Sequence, residues 1–77
     1  MTYEYVTQVI QDLTIHLNSK YLGLGLSAIV TKHIIGFCVD ISYVKDNQVI
    51  IKHKNYSTLN SMAKKLPVLL RNIAEGK

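Results

Sequence analysis

The side chains able to do chemistry are few in this sequence, and their spacing brings none of them into a known arrangement. His16, His33 and His53 have no cysteine or carboxylate at metal-ligand spacing, and the single thiol, Cys38, completes no standard zinc site with them. A nucleophilic role for Cys38 requires a positioned base. It sits in an alternating apolar and polar run that supplies none, so a small packed side chain is its expected role. Gly23-Leu24-Gly25 lacks the third glycine and the following helix of a dinucleotide fingerprint. Tyr3, Tyr5, Tyr21, Tyr43 and Tyr56 are chemically able to stack on bases but are scattered, and Tyr43 is expected in the core. No catalytic residue, metal or cofactor is therefore expected, and binding is the mode of action that the residues allow.

Charge and composition narrow the partners. A net charge of +4 and a pI near 9.3 lean toward polyanions, whereas 48% hydrophobic residues and a positive mean hydropathy are high for a purely electrostatic binder. Eight of the nine basic residues are lysine, with Arg71 the exception, and a composition rich in Lys, Asn, Ile and Tyr often reflects an AT-rich genome. One cysteine permits no internal disulfide, which fits a reducing compartment. Met1-Thr2-Tyr3-Glu4-Tyr5 has neither the basic region nor the apolar run of a signal peptide, and no stretch reaches the ~18 apolar residues of a membrane span. A single cytoplasmic domain over residues 1–77 is expected. Domains of this size bury only about 60% of the surface their unfolded chains expose. With no disulfide or metal, self-association is the remaining route to added stability. Compact proteins of this kind are common in phages and mobile elements.

The elements that position these residues follow from periodicity. Val6, Val9, Ile10, Leu13 and Leu17 recur at helical spacing between Thr2 and about Lys20, with Thr2 as N-cap and Glu4 at the positive helix end. Phe37, Val39, Ile41 and Tyr43 alternate with Cys38, Asp40 and Ser42, the period of a half-buried strand. A second run from Gln48 to about Lys54 pairs with it across Lys45-Asp46-Asn47. A two-residue Asp46-Asn47 loop would set Lys52 and Lys54 opposite Ile41 and Val39 on the apolar face. A three-residue loop instead pairs Val44 with Gln48, keeps the lysines off that face, and is the expected register, with Asn47 left-handed. Residues 22–35 allow a short helix capped by Ser27 and Gly36, but five β-branched residues favour a strand, with a turn at Thr31-Lys32-His33-Ile34. Leu22, Leu24, Leu26 and Ala28 then face Tyr43, Ile41, Val39 and Phe37. Ser57 is the expected N-cap of a second helix carrying Leu59, Met62, Ala63, Leu66, Leu69, Leu70 and Ile73 as far as Gly76, kinked or broken by Pro67 near Lys65.

The expected fold is α+β, a two-layer α-β-β-β-α arrangement in which a three-stranded antiparallel meander carries both helices on one face. This element order is similar to that of double-stranded RNA-binding domains, which use the loop between strands 1 and 2 and the start of helix 2 against the duplex. That family's helix 2 opens with a lysine cluster; here the first turn is Ser57-Thr58-Leu59-Asn60, and Lys64-Lys65 come two turns later, on what reads as a solvated side.

Two surfaces come out of this arrangement. In the expected register the open sheet face carries Ile29, Ser42, Val44, Ile50 and Lys52 beside small residues. It is either a solvated face, normal for an antiparallel sheet, or an interface for a protein partner or a second copy of the chain in a homodimer. At the sheet end, Lys32, His33, Lys52, Lys54 and the Ser57 helix start form a basic fringe able to meet a nucleic-acid backbone. A non-catalytic regulatory or accessory protein working through protein contacts is the expectation, and a nucleic-acid binder is the alternative. Neither helix has the lysine-lined polar face and bulky aromatic apolar face of a membrane-surface helix.

Overall fold

Thr2 begins the first helix as expected: its extended backbone turns the chain, and its Oγ1 accepts the Tyr5 N–H at 3.1 Å. The computed structural model describes residues 1–77. Helix α1 runs Tyr3–Lys20 and buries Val6, Ile10, Thr14 and Leu17. Thr14 is buried in the stripe while Val9, expected there, is exposed, and the Thr14 hydroxyl is satisfied within the helix by donating to the Gln11 carbonyl at 2.8 Å.

Three strands follow, β1 (Ser27–His33), β2 (Gly36–Lys45) and β3 (Gln48–Tyr56), in a sheet of order β1-β2-β3 with antiparallel pairing throughout. Residues 27–35 are not helical. Helix α2, Leu59–Glu75, closes the chain, and both helices lie on one side of the sheet. Buried residues from all five elements form one cluster, with Ile10, Ile41, Met62, Leu66 and Leu70 fully enclosed.

Both hairpins depart from the expected register, with different consequences. Between β1 and β2 the turn is Ile34-Ile35 rather than Thr31–Ile34, so Ala28 faces Ile41 instead of Phe37, a slip of four residues. An even slip keeps every side chain on its expected face, and Leu24, Leu26 and Ala28 are buried as anticipated. The cause is Gly36. Its φ of +154° and its close approach to the Tyr56 carbonyl leave no room for a Cβ, which fixes the turn two residues upstream of it. Strand β1 also starts at Ser27, not Leu22, because Gly23 and Gly25 take positive φ and bend the chain, leaving Leu22 in solvent.

Between β2 and β3 the loop is the two-residue Asp46-Asn47, with φ of 54° and 63° and Lys45 opposite Gln48. Positive φ at both positions is the type I′ geometry whose twist matches the strands. It replaces the expected three-residue loop, and this odd shift turns β3 over. Lys52 faces Ile41 and Lys54 faces Val39, which puts two lysines opposite apolar residues of β2. Lys52 tolerates it by folding its aliphatic stem back over the sheet, its Nζ 5.9 Å from the Tyr43 ring centroid, and both lysines are exposed.

The α2 start is corrected by one residue. Thr58, not Ser57, is the N-cap, its Oγ1 accepting the Ser61 N–H at 3.1 Å. Of the kink or break expected near Lys65 the break is absent: the helix continues through Pro67. It ends at a left-handed Gly76, whose N–H reaches the Ile73 carbonyl while Lys77 N–H donates to the Asn72 carbonyl at 2.8 Å.

Candidate interaction face and strand edge

Antiparallel pairing sorts the side chains of the sheet into two faces. Away from the helices, rows across the strands read Val44–Val49, Ser27–Ser42–Ile51, Ile29–Asp40–His53 and Thr31–Cys38–Asn55. Ile29, Val49 and Ile51 are each at least 60% exposed, and Val44 is 38% exposed. Asp40 Oδ1 meets His53 Nδ1 across the β2–β3 pair, so one charge-capable contact sits among aliphatic neighbours. Of the residues expected on this face, the structure brings Ile29, Ser42 and Val44 together. Ile50 and Lys52 are not there: with β3 turned over, both point to the helix side, where Ile50 packs against the core edge. Val49 and Ile51 take their places. The signal for them was the Asp46-Asn47 pair, two residues tolerant of the left-handed region at the one place where a two-residue hairpin needs both.

The two sheet edges are unequal. Polar side chains of α1, two turns apart on one side of the helix, reach the outer edge of β1. Tyr3 Oη donates to the Val30 carbonyl at 3.4 Å, Gln11 Nε2 to that of Ala28 at 3.2 Å, and Asn18 Nδ2 to that of Leu26 at 2.9 Å. Asn18 Oδ1 also accepts the Leu26 N–H at 2.7 Å. These groups lie on the outer side of β1 and of Leu26 just before it, so the helix covers part of that edge as a neighbouring strand would.

Nothing comparable protects β3. The turn pairs Lys45 with Gln48, so alternation directs the backbone groups of Gln48, Ile50, Lys52, Lys54 and Tyr56 to β2 and those of Val49, Ile51, His53 and Asn55 outward. No side chain hydrogen-bonds to the outward groups.

The expected basic end is only partly assembled. His33 lines a shallow hollow with Ile35, Phe37, Asn55, Tyr56 and Ser57, and Ser57 is shared with a second hollow formed by Lys54, Ser61, Lys65 and Leu69. Lys65, read as part of a solvated helix side, thus joins Lys54. Lys32 lies over the Tyr3 ring at 5.8 Å and Lys52 over that of Tyr43, and neither lines these hollows. Burial raises the Tyr56 phenol above its ordinary pKa of 10.0, keeping it neutral beneath this end. No three His, Cys, Asp or Glu side chains converge in a way that would hold a metal ion, and no helix is long and apolar enough to cross a membrane. No protein-family model, curated protein or solved structure matches the chain.

Proposed function

We propose that this chain is a non-catalytic accessory or regulatory protein that holds a protein partner against the open face of its sheet. The observation that carries this reading is the exposure of Ile29, Val44, Val49 and Ile51 as neighbours on a face that neither helix covers. Fully burying an aliphatic side chain contributes about 1.5–3 kcal/mol, so covering four yields at most about 6–12 kcal/mol. Association costs about 4–15 kcal/mol. The patch is of the size that supports binding once backbone or polar contacts add to it.

A second reading, nucleic-acid binding, draws on the Lys54–Ser57–Ser61–Lys65 hollow at the α2 start and on the α-β-β-β-α order shared with double-stranded RNA-binding domains. The two readings separate in one pair of experiments. Affinity capture from the native host compares wild type with Ile29→Glu/Val44→Glu and with Lys54→Gln/Lys65→Gln. A protein partner lost only by the first variant supports the face. Binding to duplex or single strands that is lost only by the second, and that falls by about 0.9 log units per phosphate neutralised for each log unit of salt, supports the hollow and removes the proposal.

A further inference from the structure

We infer that two copies of the chain pair antiparallel through β3, about a two-fold axis passing at Ile51, to make a six-stranded sheet with one continuous open face. The inference rests on the protein-binding reading of that face, and it names a second copy of the chain as the partner on its edge.

The edges themselves argue for it. Val49, Ile51, His53 and Asn55 present unpaired N–H and C=O groups along a strand of nine residues. On the β1 side, by contrast, the Val30 and Ala28 carbonyls and both backbone groups of Leu26 are engaged by Tyr3, Gln11 and Asn18. A free edge is a template for another strand. Head-to-tail pairing of β3 with the β1 of another copy would have to displace the Tyr3, Gln11 and Asn18 contacts, whereas β3 on β3 displaces none, is isologous, and stops at two.

The side chains select the register. Centring the pair on Lys52 sets Lys52 against itself, and centring it on His53 sets Lys52 against Lys54 twice; like charges directly opposite are unfavourable. Centring it on Ile50 sets His53 opposite Asn47, whose positive φ prevents extended backbone, and so confines the pairing to Gln48–Lys52, whereas centring on Ile51 extends it over Gln48–Lys54. Centring it on Ile51 stacks Ile51 on its own copy, sets Val49 opposite His53 and Ile50 opposite Lys52, and opposes no like charges. Its hydrogen-bonded pairs use the outward residues Val49, Ile51 and His53. Lysines on an edge strand often deter pairing. Here Lys52 folds back over Tyr43 on the helix side, and the outward row of β3 is Val49, Ile51, His53 and Asn55, with no lysine in it.

Sedimentation of the full chain tests this. The 8.7 kDa chain should run at about twice that mass at high concentration. Ile51→Lys and Ile51→Glu should each weaken the dimer at least tenfold by opposing like charges across the axis, and mixing the two variants should restore it as a heterodimer. Ile51→Pro removes only an outward N–H, so it should leave a folded monomer, whereas Lys52→Pro removes a bond to β2 and should unfold the chain. Ile29→Glu, on the face but off the edge, should leave the dimer intact. A chain monomeric at its highest soluble concentration, or a dimer that survives Ile51→Pro, overturns the pairing. A dimer lost with Ile29→Glu and not with Ile51→Pro also overturns it, while leaving the open face as the binding surface. An intact edge dimer whose captured partner is indifferent to Ile29→Glu/Val44→Glu instead rejects the face and keeps the pairing.

Discussion

Asn18 offers the sharpest test of how α1 and the sheet are joined. Its amide makes two hydrogen bonds to one residue, receiving the Leu26 N–H at 2.7 Å and donating to the Leu26 carbonyl at 2.9 Å, as a neighbouring strand would. Asn18→Ala deletes both. A net intramolecular hydrogen bond contributes about 0.5–1.5 kcal/mol, so the loss is about 1–3 kcal/mol, nearer the upper end if water reaches the freed groups poorly beside the buried Leu26 side chain. At roughly 0.05–0.15 kcal/mol per residue, 77 residues hold about 4–12 kcal/mol in all, so a central loss of about 2 kcal/mol is a large share. It should lower the melting temperature by about 8–16 °C. Urea unfolding followed by circular dichroism reads the change as a lower midpoint at constant slope. Asn18→Asp keeps an acceptor for the Leu26 N–H but sets carboxylate oxygen against the Leu26 carbonyl, and should recover no more than half the loss. Asn18→Ala/Gln11→Ala frees the β1 edge as well and should give assemblies larger than a dimer. A change below about 0.5 kcal/mol in Asn18→Ala with an unchanged slope would refute the idea that helix side chains act as the missing strand.

Gly36→Ala places a methyl group against the Tyr56 carbonyl and should destabilise the chain by about 1–3 kcal/mol in the same urea assay. Asn47→Gly relieves a left-handed residue of the type I′ turn and should stabilise by up to about 1 kcal/mol, whereas inserting one glycine after Asp46 reverses the faces of β3 and should cost more than that, both measured by thermal unfolding. Leu66→Ala opens a cavity at a fully enclosed position and should cost about 2–5 kcal/mol, enough to leave much of the population unfolded at 37 °C by amide exchange. Burial raises the folded-state pKa of Tyr56 above the unfolded 10.0, so its contribution to stability is whole below pH 10.0 and is lost as pH rises through the higher folded value. Urea midpoints should hold up to pH 10.0 and fall above it, and Tyr56→Phe should flatten the fall.

Element type and order were legible because they depend on local periodicity. The stripe of Val6, Ile10 and Leu17, the alternation from Phe37 to Tyr43, and the Met62–Leu66–Leu70–Ile73 ladder each identify an element and its buried side, and all of these residues but the half-buried Phe37 are core residues. The candidate site was less legible. Ile29, Ser42 and Val44 lie on strands whose facing follows from their own alternation, and they are where they were expected. Ile50 and Lys52 were misplaced because the facing of β3 depends on the length of one turn. That length was inferred by keeping lysines off the apolar side, a rule that treats Lys as a point charge and overlooks its long aliphatic stem.

The sequence by itself determined the α-β-β-β-α order, the antiparallel meander and the buried stripes of α1, β2 and α2, since each of these is written in patterns a few residues long. Tertiary structure alone decided which side of β3 meets solvent, that α1 covers part of the β1 edge through Tyr3, Gln11 and Asn18, and that the β3 edge is left bare. The physical reason is the same for all three. A strand's facing and an edge's occupancy depend on hydrogen bonds between groups distant in the chain, and a shift of a single residue reverses them without altering any local pattern.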